Sequence, residues 1–183
     1  MSISIPRIAL SRKQARLAPQ PDQQLSTKDS TMPNFSAQQD AHVQILSQTA
    51  FFSDLSREQL MLVSSASRIE ECAEGYQIYK IGETAKTLYV LIDGMVRFAI
   101  GYGGREASAG DILRRGQVFG WSTLTPTSSI RIATASCLSP CSVLAVDGGS
   151  LLYLMEQDHT LGYRLTSQLN ILITGTLTAF AGG

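Results

Sequence analysis

The chain has 183 residues, 44% of them hydrophobic, enough for one domain with a sizeable core. Its formal charge is zero, yet residues 1–30 hold five basic and two acidic side chains, which leaves ten basic and thirteen acidic for the rest. A mildly acidic body argues against a nucleic-acid surface, which needs clustered Lys and Arg; three irregularly spaced cysteines exclude a disulfide framework and suit a reducing, cytoplasmic setting; and no apolar run is long enough to span a bilayer.

Residues 1–38 are rich in Ser, Gln and Pro, and Pro6, Pro19, Pro21 and Pro33 break any long helix, so they are expected to form a disordered extension to a domain at 39–183. Arg7, Arg12, Lys13 and Arg16, with no acid among the first nineteen residues, read as a solvated basic tail in preference to a targeting peptide, and Met32 is an alternative start. From Gln39 the pattern changes: Val43, Ile45 and Leu46 suit a short helix, Phe51 and Phe52 follow, and Ser56 is placed to cap a second helix over Arg57–Ser65. Between Arg68 and Val146, short runs of Ile, Val, Tyr and Leu alternate with glycines, the spacing of an all-β sandwich or barrel. Asp93-Gly94 is the strongest hairpin signal, between Leu88–Ile92 and Met95–Ile100. Asp147 is placed to cap a helix carrying Leu151, Leu152, Leu154 and Met155, and a long helical segment starts near His159. Its Leu161, Leu165, Leu169, Leu172 and Thr176 fall at three- and four-residue steps, a stripe for the barrel or for a partner helix.

The stretch with the most chemistry is Gly116 to Ala135, GQVFGWSTLTPTSSIRIATA. Gly116 and Gly120 permit turn geometry closed to other residues, and Ser122 and Thr123 suit the start of a short helix whose free N–H groups would face an anion. Arg131 would supply the charge, its planar guanidinium being matched to a phosphate or carboxylate. The competing reading is a structural arginine satisfied by backbone carbonyls. Arg114-Arg115, just before this stretch, is expected to be a solvated pair.

These residues resemble the phosphate cassette of the cyclic-nucleotide-binding domains of catabolite-activator-type regulators, which reads roughly F-G-E, a short helix, then R-x-A-T/S. Phe119, Gly120, Arg131, Ala133 and Thr134 match, and the ten-residue step from the Glu position to the arginine is kept. Trp121 stands at that Glu position, where the family's carboxylate accepts from a ribose hydroxyl and an indole can only donate; Ile132 is a second departure. A lost bond of that kind corresponds to roughly 1.5–3 kcal/mol. The run FFSDLSREQL resembles the family's entry segment and GETAKTLYVLIDGMV its strand pair, so the similarity covers about residues 45–165. The resemblance implies a mainly β fold with flanking helices, a double-stranded β-helix (jelly roll) with N-terminal helices and a long C-terminal helix. It further implies a ligand site at Phe119, Gly120, Trp121, Ser122, Thr123, Arg131, Ile132 and Ala133, with cAMP or cGMP as ligand, and a homodimer through Leu161, Leu165, Leu169 and Leu172.

Enzymatic readings fail on the residues. Arg68–Val146 contains no histidine for a metal-binding β-roll, and Gly101, Gly103 and Gly104 lack the lysine of a phosphate loop. Cys137 and Cys141 in CLSPC, with Cys72, His42 and His159 elsewhere, do not complete a zinc or iron–sulfur site, and small buried residues is the reading preferred. Beyond Arg131 the only basic residue is Arg164 and the chain ends three residues after Phe180, so no helix-turn-helix and no direct DNA binding are expected. The expectation is a stand-alone, non-enzymatic sensor for a small anionic ligand, with no cofactor and no metal, signalling to an unidentified protein partner. Its alternative is an interaction scaffold whose pocket Trp121 closes.

Overall fold

The computed structural model describes residues 35–101, 107–125 and 129–181. Residues 1–34, most of the expected extension, and Gly103 and Gly104 lie outside the described residues. Helix α1 (Phe35–Ser47) begins four residues before the change of pattern at Gln39. A 3-10 turn (Ala50–Phe52) leads into α2 (Arg57–Ser65). Ser56 caps α2 as its sequence requires: its hydroxyl accepts from the Gln59 N–H, while the Gln59 side chain accepts from the Ser56 N–H.

Eight strands follow: β1 (Ser67–Cys72), β2 (Gln77–Tyr79), β3 (Thr87–Asp93), β4 (Val96–Ile100), β5 (Ala107–Leu113), β6 (Val118–Phe119), β7 (Thr134–Cys137) and β8 (Cys141–Asp147). They form two antiparallel four-stranded sheets, ordered β1-β8-β3-β6 and β2-β7-β4-β5, the double-stranded β-helix with flanking helices that the sequence implied. The central strands of the first sheet, β8 and β3, are buried on both faces, which explains their continuous apolar runs. Leu88, Val90, Leu144 and Val146 join Leu46, Phe52 and Val63 under the helices. Leu91, Val143 and Ala145 face the roll interior with Val96, Phe98 and Phe119.

Asp93-Gly94 corrects the hairpin expectation. β3 and β4 belong to different sheets, so this turn is a corner at which the chain passes from one sheet to the other. It is laced instead to the β7–β8 connection: Leu138 N–H donates to Met95 O at 2.8 Å and Met95 N–H to Ser139 Oγ at 3.1 Å. Gly94 has φ +93°, and a Cβ there would lie 2.5 Å from Pro140 O. Cys137 and Cys141 likewise sit on different strands, and both are buried.

Asp147 caps α3 (Gly148–Gln157), accepting from Ser150 N–H at 2.7 Å. Asp158 then starts α4 (His159–Ala181), accepting from Thr160 and Leu161 N–H and from Gln59 Nε2, which ties the α3–α4 joint to α2. The α4 stripe corrects the dimer expectation. Leu161, Leu165 and Leu169 are buried in the core of their own domain and Leu172 packs partly against it, so these residues are not free to pair two subunits. The opposite side of α4 exposes Tyr163 and Leu177. No helix among the described residues is long and apolar enough to cross a membrane.

Candidate functional site

The site begins where β6 ends. Gly120 adopts φ +77°, a left-handed conformation that other residues resist, and turns the chain into a single 3-10 turn, Trp121–Leu124. The chain returns as Arg131, whose own backbone is held by two bonds to the β2–β3 connection, Arg131 N–H to Glu83 O at 2.9 Å and Gly82 N–H to Arg131 O at 2.8 Å. This backbone clamp points the side chain inward, where it is 4% exposed.

The guanidinium is fixed on three sides. Nη1 donates to Gly120 O and Nη2 to Thr87 O, each at 2.7 Å. Its carbon lies 4.1 Å from the centroid of the Tyr79 ring, a cation–π contact. Gly120 is required a second time here, because a Cβ would stand 2.7 Å from Nη1 and 3.1 Å from Thr87 O. No carboxylate of the described residues lies within ion-pair distance of Arg131. Burial lowers the Arg131 pKa from its ordinary value, with the nearby Tyr79, Tyr89 and Glu83 acting in the opposite direction. Burial likewise drives the Tyr79 hydroxyl far above its ordinary value, so Tyr79 is neutral beside the cation. Arg131 is therefore a buried cation satisfied by dipoles and a π face. Two of its five N–H groups account for the carbonyl bonds.

Beside Arg131 opens a cavity of about 460 Å³. The cassette forms one wall through Phe119, Gly120, Trp121, Ser122, Ile132 and Ala133, and α4 forms the other through Gln168, Ile171, Leu172, Thr176 and Phe180. The structure thus brings together seven of the eight residues expected from the sequence. Thr123 is the one left out: it is buried with Oγ1 against Gly148 at the start of α3 and does not line the cavity. Trp121 is half-buried in the wall and leaves the cavity open, contrary to the reading in which it closes the pocket. Arg114 and Arg115 are exposed, as a solvated pair should be.

An aromatic chain was not visible in the sequence. Tyr79 stacks with Tyr89 (6.0 Å between centroids), Tyr89 with Phe119 (5.1 Å), Phe119 meets Phe98 edge-on (6.2 Å), and Phe98 meets Phe180 (5.7 Å). It runs unbroken from the arginine to the last turn of α4. Phe180 also covers Gly110, whose φ of +68° marks the bulge in β5, and a Cβ there would come within 3.0 Å of its ring. Each member sits on a different element, so no local sequence pattern announces the chain.

A double-stranded β-helix with one buried arginine on a glycine turn, and a long helix lining the cavity beside it, defines a β-roll domain with flanking helices. Residues 69–158 match the family described as cyclic nucleotide-binding domain, and this stretch of the chain is a domain of that family. A cyclic nucleotide-binding candidate from Geobacter metallireducens superposes with a TM-score of 0.64 at 23% identity, over 73% of this chain and 96% of the other. The sensor domain of the transcriptional regulator DNR from Pseudomonas aeruginosa gives 0.61 at 22%, over 71% and 91%. The regulatory domain of Toxoplasma gondii PKA, solved with cAMP, gives 0.61 at 19%, over 73% and 51%. At these identities the likeness establishes the fold. Comparison with curated proteins found no match.

Proposed function

We propose that this chain is a non-enzymatic sensor whose cavity binds a small anionic ligand at Arg131 and reports it through α4. The observation that carries the reading is a buried cation with no carboxylate within ion-pair distance among the described residues, set in the wall of a cavity whose opposite wall is α4. A charge taken out of water is normally paired, and an entering anion would complete that pair. Coupling to α4 follows from shared walls: a ligand touching Trp121 and Ile132 on one side meets Ile171 and Leu172 on the other. A homodimer would use the outer side of α4, where Tyr163 and Leu177 are exposed and no charged residue follows Arg164.

Trp121 is the only tryptophan in the chain, so its fluorescence reports the cavity directly. Because a relative holds cAMP, titration with cAMP and cGMP, followed by Trp121 emission and thermal stability, is the first test. The reading predicts a saturable change in emission accompanied by a rise in Tm for an anionic ligand, since binding to the native state alone stabilises it. If a broad set of small anions leaves both signals flat, Arg131 is a structural arginine and the domain a scaffold.

A further inference from the structure

Several polar side chains lining the cavity are already engaged, and Ser122 and Tyr79 contribute the other hydroxyls. Gln117 Oε1 accepts from Arg114 N–H at 2.7 Å, Gln168 Nε2 donates to Asp54 Oδ2 at 3.3 Å, and Thr176 Oγ1 donates to Leu172 O at 2.8 Å within its own helix. Asp111, the one carboxylate in the wall, is exposed at its rim. What remains is a predominantly apolar chamber, with the flat faces of Phe51, Trp121 and Phe180 and the aliphatic Ile171 and Leu172, and a single cation at one end.

We infer that the ligand is a hydrophobic monocarboxylate, an anionic head on an apolar and preferably aromatic body, and not a nucleotide. This rests on the anion reading above and narrows it. One guanidinium balances one negative charge, so a phosphate monoester dianion would carry an uncompensated charge into an apolar chamber. Arg131 has five N–H groups and uses two on Gly120 O and Thr87 O, which leaves donors of the kind that suit a carboxylate. A cyclic nucleotide has the right charge but a body rich in sugar and base polar atoms. Each of those would surrender water on entry and find few free side-chain partners in a mainly apolar wall, whereas a naphthyl or alkyl body surrenders none. The cavity volume, about 460 Å³, is within the range of sites that enclose small organic ligands.

The test varies the ligand and leaves the protein intact, so no variant can fail to fold. Calorimetric titration of the full chain with 2-naphthoate, its neutral analogue 2-naphthamide, and cAMP separates the two claims. The expected result is saturable binding of 2-naphthoate, with at least tenfold weaker binding of both 2-naphthamide and cAMP. Binding of cAMP as tight as 2-naphthoate or tighter overturns the monocarboxylate assignment and leaves the anion site standing. Equal binding of 2-naphthamide and 2-naphthoate overturns the anion site itself, and with it this inference. Failure of both 2-naphthoate and octanoate to bind overturns the assignment of ligand class.

Discussion

Two glycines of the cassette, four residues apart, offer a controlled comparison. Gly116 and Gly120 both have positive φ, +82° and +77°, so alanine at either incurs the left-handed penalty, about 1–2 kcal/mol, partly offset by a stiffer unfolded chain. The surroundings differ. A Cβ at Gly116 meets nothing within 4 Å, whereas at Gly120 it meets Arg131 Nη1 at 2.7 Å, Thr87 O at 3.1 Å and Tyr89 Cδ2 at 3.2 Å. Nη1 ends a flexible chain in principle, but here it is buried and bonded, and Thr87 O is backbone. Moving the guanidinium breaks its bond to Gly120 O, a charged hydrogen bond for which about 1.5–3 kcal/mol is typical. Gly116→Ala should therefore lose about 1 kcal/mol in urea denaturation and Gly120→Ala about 3–5 kcal/mol. Ligand binding should survive the first substitution and fail in the second. Equal losses would show that Gly120 serves only its backbone angle and that Arg131 is not positioned by it.

Three further outcomes follow from the packing. Gly94→Ala, whose Cβ would press on Pro140 O and Cys141 Sγ, should cut Tm far more than Gly75→Ala, where nothing lies within 4 Å; similar losses would contradict the two-sheet corner. Leu165→Ala should cost about 2–5 kcal/mol as a core truncation. Tyr163→Ala, at 76% exposure, should leave stability within about 0.5 kcal/mol but weaken self-association in sedimentation. The reverse order would mean that the buried stripe faces a partner after all. Burial, with Cys141 and Cys72 beside it, pushes the Cys137 thiol from its ordinary 9.0 up to about 12. The unfolded thiol ionises near 9 while the folded one keeps its proton, so its contribution to stability is present below pH 9 and is lost as pH rises toward 12. Stability should fall less steeply above pH 9 in Cys137→Ala than in the parent, and an unchanged slope would refute the shift.

What the sequence disclosed is what local chemistry decides. Ser56 with Gln59, and Asp147 ahead of Ser150, cap their helices through bonds three residues apart, and the apolar run Leu88–Ile92 falls within a strand, β3. Asp93-Gly94 misled because a turn signal specifies a reversal and not a pairing partner: β3 pairs with β8 and β6, and β4 with β7 and β5. The α4 periodicity gave a correct apolar face but no direction for it; only packing against the first sheet and α3 shows that Leu161 and Leu165 look inward. At the site, the turn and the arginine were legible from spacing. The carbonyl of Thr87 and the ring of Tyr79 were not, being 44 and 52 positions from Arg131 in sequence and brought to it by the roll.

The most direct measurement is on the guanidinium itself. With ¹⁵N-arginine labelling, the side-chain N–H signals of Arg131, identified by their loss in Arg131→Lys, can be followed while 2-naphthoate and then cAMP are added. An anion seated between the cassette and α4 should move the Arg131 signals saturably and leave exposed Arg114 and Arg115 unmoved. Saturable binding by calorimetry with Arg131 unchanged would place the ligand elsewhere and contradict the account.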